Sequence, residues 1–293
     1  MNKIPKVKFG LIGGSGTWGA RFPEDFDIPQ VKLLDVIPYF KTPFGKSAPF
    51  KLIEIAGERV LRVATHGATL DAKGIPLPIW ISAQQVAWVF SKAGVEQALT
   101  DGSVGGIKNP EHPSEPLHPW SVVISDDYIM NSMDPIRPYT PNKPKVRMRE
   151  PFCRFLQNCL YNAAVKEKIF KVYTRGIYVC TTAYRYETEA EIRMMSDWGA
   201  NIVGETLGFE APLMRNYGIH FASISIVANV AEGHVTWIGG SMKCMADFYR
   251  KCAKPVGRTI INAMKEIIAK KTGNCYCEMY HLTGLEYFPI KGA

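Results

Sequence analysis

Residues 6–16 read KVKFGLIGGSG: a short β-rich run from Lys6 to Ile12 that breaks into Gly13-Gly14-Ser15-Gly16. Glycines let the backbone reverse with its N–H groups turned outward, and Ser15 adds a hydroxyl, so this turn is a candidate anion cradle. It lacks the lysine of a P-loop. The G-x-G-x-x-G pattern fits only loosely (Gly14, Gly16, Gly19), without a clear ribose-binding acid. Working outward, Lys51–Ile55 and Val60–Ala64 read as strands joined by a turn at Gly57-Glu58. Trp80–Lys92 has helical spacing and Gly94 stops it; Val95–Thr100 is a strand leading into a second Gly-rich turn, Asp101–Gly106. Val122–Ser125 reads as a strand between two Pro-rich stretches, 108–120 and 134–144. The second half repeats the alternation. Phe152–Lys166, Thr188–Trp198, Phe209–Tyr217 and Ser241–Lys271 read as helices, the last ended by Gly273. Val172–Thr182, Ala200–Val203 and the apolar Ile219–Asn229 read as strands. Such alternation implies an α/β fold in which a central mixed β-sheet is flanked by helices, as a single domain over 1–293.

The composition of the 293 residues is that of a globular chain, 46% hydrophobic and 21% charged, which excludes a disordered, collagenous or coiled-coil protein. No apolar run approaches the ~20 residues of a membrane span, and the N-terminus has no apolar segment ending in a cleavage site. The expected location is cytoplasmic, with no membrane partner. The net charge of +8 is spread along the chain with no nucleic-acid-binding motif, so no nucleic-acid partner is expected; the same field favours an anionic small substrate. The seven cysteines show no C-x-x-C pair and are read as reduced thiols, several of them in the core. A redox or disulfide role for Cys275-Tyr276-Cys277 is the alternative. No metal site is expected: Glu111, His112, Glu115 and His118 lie among prolines and read as a solvated loop or subunit contact.

Three further segments carry chemistry. Tyr184–Glu191 is an aromatic turn running into a helix whose first turn holds Glu187, Thr188 and Glu189, acids that suit a helix N-terminus. Gly204-Glu205-Thr206 puts polar residues just after a strand, and Asn229 ends the apolar run 223–228. Together with LIGGSG (11–16), TPFGK (42–46), ATHG (64–67), GSVGGI (102–107), NIVGET (201–206) and ASISIVAN (222–229), these motifs resemble, in order and spacing, one family. It is that of the trimeric purine nucleoside phosphorylases and their methylthioadenosine phosphorylase relatives.

The resemblance implies that phosphate meets Ser15, Thr65, His66, Ser103 and Thr206, with Ser103 acting through its backbone N–H. It implies that Tyr186 flanks the nucleoside, that Glu205 hydrogen-bonds the ribose hydroxyls, and that Glu187 and Asn229 read a 6-oxopurine. Asn229, Glu187 and His66 are the implied catalytic residues. The implied activity is phosphate-dependent cleavage of a purine nucleoside (6-oxopurine or 5′-methylthio) to free base and a ribose-1-phosphate derivative. Phosphate is the co-substrate, no cofactor is needed, and the assembly is a homotrimer or a dimer of trimers. The chain departs from the family pattern at Thr65, where arginine is usual, at Glu205, where methionine is usual, and at Ala228, where a hydroxyl is frequent. These departures keep two alternatives open: a nucleosidase using water, and a nucleoside-binding member with changed activity. His234 and Met242 fall in the part of the chain expected to meet the 5′ substituent.

Overall fold

β1 (Phe9–Gly13) is buried along its whole length and lies between two parallel neighbours, β6 (Glu58–Ala64) and β7 (Gln97–Gly106). A strand with partners on both edges and helices on both faces must be apolar throughout, which is why FGLIG carries no charge. The computed structural model describes residues 3–66, 70, 73–132, 146–168, 170–182, 185–233 and 242–278. The stretch 134–144, His234 and the side chain of Met242 lie outside the described residues.

Beyond β7 the parallel set continues with β13 (His220–Val230), and that edge is closed by β8 (Ser121–Val123), antiparallel to β13, and β10 (Lys171–Tyr173), parallel to β8. On the other side, β5 (Phe50–Ile55) runs antiparallel to β6, and β2 (Val31–Ile37) antiparallel to β5. A branch leaves the end of β7: β12 (Ile202–Gly204) runs antiparallel to it, followed by β11 (Ile177–Cys180) and β9 (Asp127–Met130), parallel to one another. Among the described residues the result is one mixed sheet of eleven strands, with β3 (Lys41–Thr42) and β4 (Gly45–Lys46) as a separate small hairpin.

Helices cover both faces. α1 (Ile79–Ala93) and α4 (Leu207–Asn216) bury Val86, Phe90, Phe209 and Leu213 in a core that includes Phe50, Leu61 and Val227. On the opposite face, α2 (Arg154–Ala164) and α5 (Met242–Lys270) bury Leu156, Leu160, Ile260 and Met264 with Leu11, Leu99 and Ile224. α3 (Glu189–Asp197) seals a third, smaller cluster around Val179 and Val203. α1 ends where Gly94 takes a left-handed conformation (φ +84°) and returns its N–H to Phe90 O. α3 starts at a capping box in which Thr188 Oγ1 accepts from Glu191 N–H and the Glu191 carboxylate accepts from Thr188 N–H. No helix among the described residues is long and apolar enough to cross a membrane.

Three local expectations change. Asp101–Gly106 is not a turn: β7 runs straight through it, paired to β13 on one side and to β12 at its end. Its glycines serve close packing, since a Cβ on Gly106 would stand 1.9 Å from Leu117 O. Val172–Thr182 is two strands, because β10 pairs with β8 whereas β11 belongs to the β12–β9 branch. β2 and β9 are strands that the hydrophobic pattern does not signal. β2 is exposed at most positions and bulged between Leu33 and Asp35, so its alternation is broken.

Candidate active site

The carboxyl ends of β1, β6, β7 and β13 open at one end of the sheet, and β12 arrives there from the opposite direction. Crevices at such strand ends are the usual ligand sites of α/β sheets. Here a cavity of about 480 Å³ is lined by Ser15, His66, Ser103, Tyr186, Glu187, Glu205, Thr206 and Asn229, with Trp18, Met245 and Tyr249 closing the aromatic side. That volume suits a small organic ligand with an anion beside it. Eight residues singled out from six separated segments thus meet in one cavity. Thr65 does not: it is buried, it is absent from the cavity wall, and its Oγ1 has no partner among the described residues.

One end of the cavity is built for an anion. Ser15 opens a short 3-10 turn (Ser15–Thr17) directly after β1, and its Oγ lies 2.7 Å from Ser103 Oγ. The Ser103 N–H, which the resemblance assigns to phosphate, donates instead to Ser15 Oγ at 2.8 Å, so the two serines form one unit. Tyr249 OH joins them, 3.1 Å from Ser103 Oγ. Gly14 makes room for this arrangement: a Cβ there would stand 2.0 Å from Asp101 O and 2.3 Å from His66 Nδ1. Thr206 precedes α4; its hydroxyl makes no capping bond, and its N–H donates to Tyr178 OH at 3.2 Å. The positive end of the α4 dipole therefore points at the same region.

His66 brings a titratable ring to the same end. It holds a left-handed backbone conformation (φ +59°) at the end of β6, and its Nε2 lies 2.7 Å from Glu210 Oε1 on α4. Burial lowers its pKa, but the nearby carboxylates of Glu210, Asp101 and Glu205 outweigh that and leave it raised. Beneath the cradle, Thr17 Oγ1 donates to Asp101 Oδ2 at 3.0 Å, and buried Arg62 donates to Thr17 Oγ1 at 3.3 Å. Burial brings Arg62 down to about 10 while its neighbour Asp101 holds it charged. Arg62 is therefore committed below the turn.

The other end is acidic. Thr181 Oγ1 donates to Glu187 Oε1 at 2.5 Å and fixes that carboxylate. Glu205, half-buried, is pushed up to about 7, first by burial and then by the charge of Glu187. Asn229 follows a bulge between Val227 and Asn229 that turns its side chain into the cavity, with Nδ2 donating to Val230 O at 3.0 Å. Tyr186 stands at the rim, 65% exposed, and Trp18 packs on Tyr249 with ring centroids 5.9 Å apart.

Sequence reading does not find Trp18, Thr181, Glu210, Met245 or Tyr249. Glu210 carries no signal, because one acid in an amphipathic helix reads as solvated; only its contact with His66, 144 residues away, gives it a role. The loop of Glu111, His112, Glu115 and His118 is exposed at all four residues and outside the cavity.

Comparison with known proteins agrees with this geometry. A sequence model of the Phosphorylase superfamily matches residues 8–260. The chain is 32% identical over 231 residues to an S-methyl-5′-thioadenosine phosphorylase of Pyrococcus horikoshii, covering 77% of this chain and 79% of the relative. It is 31% identical over 290 residues to a probable 6-oxopurine nucleoside phosphorylase of Korarchaeum cryptofilum, covering 93% and 97%. In fold it is similar to a methylthioadenosine phosphorylase from an antarctic soil metagenomic library, with a TM-score of 0.77 at 20% identity over 94% of this chain and 91% of that one. A match over residues 8–260 of 293 assigns the chain to the phosphorylase superfamily.

Proposed function

We propose that this protein is a phosphorylase that cleaves the N-ribosidic bond of a purine nucleoside, of 6-oxopurine or 5′-methylthio type, with inorganic phosphate. The observation that carries the reading is the two-ended cavity: hydroxyls and the Glu210-paired His66 at one end, Glu187 and Asn229 at the other. Phosphate sits among Ser15, His66, Ser103 and Thr206. Its oxygen bonds to C1′ as the C1′–N9 bond breaks, and the bonding pair leaves with the purine. The sugar is oxocarbenium-like in the transition state, and the phosphate dianion beneath it stabilises that charge. The Asn229 amide has a second N–H for N7, and Glu187, fixed by Thr181, accepts from N1–H. Both contacts strengthen as negative charge develops on the base, which is what makes them catalytic rather than merely binding. Glu205 faces the ribose hydroxyls, and Tyr186 and Tyr249 flank the nucleoside. Only phosphate is required as co-substrate. The same reading carries a homotrimer, or a dimer of trimers, in the cytoplasm; light scattering on the purified chain tests the assembly.

A second reading is supported by Glu205. A carboxyl that titrates at about 7 beside the sugar site has the affinity of a general base, and would activate water in a nucleosidase. The test separates the two. Base release is measured from inosine, guanosine, adenosine and their 5′-methylthio analogues, each with and without phosphate. Strict phosphate dependence is expected; equal rates in both conditions overturn the phosphorylase reading in favour of hydrolysis, and no release from any substrate leaves a binding role.

A further inference from the structure

Far from the cavity, Cys153, His220, Cys275 and Cys277 converge, with one potential ligand atom from each lying within 4.8 Å of all the others. Among the described residues this is the only such group of three or more His, Cys, Asp or Glu. His220 Nδ1 lies 3.6 Å from Cys153 Sγ and 3.5 Å from Cys275 Sγ. A tetrahedral zinc ion with Zn–S of about 2.3 Å and Zn–N of about 2.0–2.1 Å requires S···N edges of about 3.6 Å and S···S edges of about 3.8 Å. The two His220–cysteine edges therefore already match those of an occupied site, and the remaining edges lie within 4.8 Å. Three thiols and an imidazole also match the soft, nitrogen–sulfur donor set that selects zinc over harder cations.

Two of the ligands stand on rigid elements. Cys153 precedes α2 and donates its N–H to Phe221 O at 2.8 Å, while His220 opens β13 and donates its N–H to Glu96 O at 2.9 Å. The other two arrive on the segment after α5, which Gln97 steers by donating from Nε2 to Lys271 O at 2.9 Å. Cysteines 275 and 277, separated by one residue, approach as a pair. We propose that this chain binds one structural zinc(II) ion through Cys153, His220, Cys275 and Cys277. On binding, three thiols lose their protons to solvent and the neutral imidazole adds as fourth ligand, with no redox change.

Four protein ligands leave no open position, which marks a structural ion. The location agrees: His220 and Asn229 occupy opposite ends of β13, roughly 30 Å apart at the rise of a strand. The ion fastens the chain beyond α5, and α5 is the helix whose other end carries Met245 and Tyr249 into the cavity. This revises the sequence expectation of no metal. The ligands span residues 153–277 and the close pair is C-x-C, so no spacing rule detects them.

The experiment uses the untagged full-length chain purified under reducing conditions. Elemental analysis is expected to find about one zinc per chain after dialysis, and replacement by cobalt(II) to give the intense visible bands of tetrahedral thiolate coordination. Cys277→Ser and His220→Asn are expected to lose most of the metal, while Cys244→Ser, whose thiol is exposed and outside the cluster, retains it. Should the ligand variants fold poorly, the unmodified chain decides. Stripping zinc with a chelator should lower Tm, and adding zinc back should restore it. Absence of zinc together with absence of cobalt bands in folded, reduced protein overturns the proposal. So does a disulfide among Cys153, Cys275 and Cys277 in freshly purified protein whose Tm ignores zinc. Loss of activity on stripping with Tm unchanged overturns the structural role.

Discussion

Replacing Glu210 by Gln tests whether His66 serves as a cation. Glu210 Oε1 lies 2.7 Å from His66 Nε2, with both side chains more than nine-tenths buried. The amide keeps the acceptor oxygen and the shape and removes the charge. Burial alone lowers the His66 pKa, and Glu210 is the strongest of the carboxylates that reverse it. Without that charge only Asp101 and Glu205 oppose burial, the His66 pKa falls, and phosphate loses the charge assistance of a hydrogen bond worth about 1.5–3 kcal/mol. The phosphate KM should therefore rise by about 10- to 150-fold. The assay is the initial rate of base release against phosphate dianion concentration, at pH 6 and pH 8, with nucleoside saturating. In the unmodified enzyme phosphate binding weakens as pH climbs through the raised His66 pKa; in the variant that weakening is complete at lower pH. Among the described residues Glu210 Oε2 has no partner, so the amide nitrogen of the variant exchanges one unpartnered buried group for another of the same shape, and Tm should hold. A phosphate KM within about twofold of the unmodified enzyme, with an unchanged pH dependence, would refute the assignment of His66 as the cation.

Asn229→Asp exchanges a donating amide for an accepting carboxylate, so kcat/KM should move from inosine toward adenosine by about tenfold or more; an unchanged ratio removes Asn229 from base recognition. Glu205 is protonated below about 7, the form compatible with a neighbouring phosphate dianion, so phosphorolysis should decline above that pH and Glu205→Gln should flatten the decline. A declining limb that survives the substitution rules Glu205 out as its source. The same residue predicts a stability difference. Its folded pKa lies above its unfolded value, so it favours the fold at acid pH and loses that contribution as pH rises toward and through about 7. The Tm advantage of Glu205→Gln over the unmodified chain should grow between pH 5 and pH 8, and a constant difference contradicts the burial of this carboxyl.

Much of the cavity is legible in the sequence because its residues sit where strands end. Ser15, His66, Thr206 and Asn229 each follow an apolar run, and a polar group at that position in an α/β sheet lies at the ligand end. Thr65 shows the limit of that logic. Its neighbour His66 turns into the cavity through a positive φ, and the Thr65 side chain is left buried away from the wall. The glycines of 101–106 mislead for a related reason. In isolation they read as a turn, but two strands and the Leu117 carbonyl press against them, and extended backbone without side chains is what fits.

The alternation of strands and helices, the mixed sheet it builds, and the set of polar groups delivered to its carboxyl end are all legible in the chain. Those features rest on local physics: hydrophobic period, glycine breaks and capping act within a few residues of chain. Only the folded packing sets Glu210 against His66 and Thr181 against Glu187, brings Tyr249 to the serine pair, and gathers Cys153, His220, Cys275 and Cys277 into one cluster. Apart from the short Thr181–Glu187 pair, these contacts join residues far apart in the chain. A buried charge or thiol acquires its chemistry from neighbours that only the folded packing supplies.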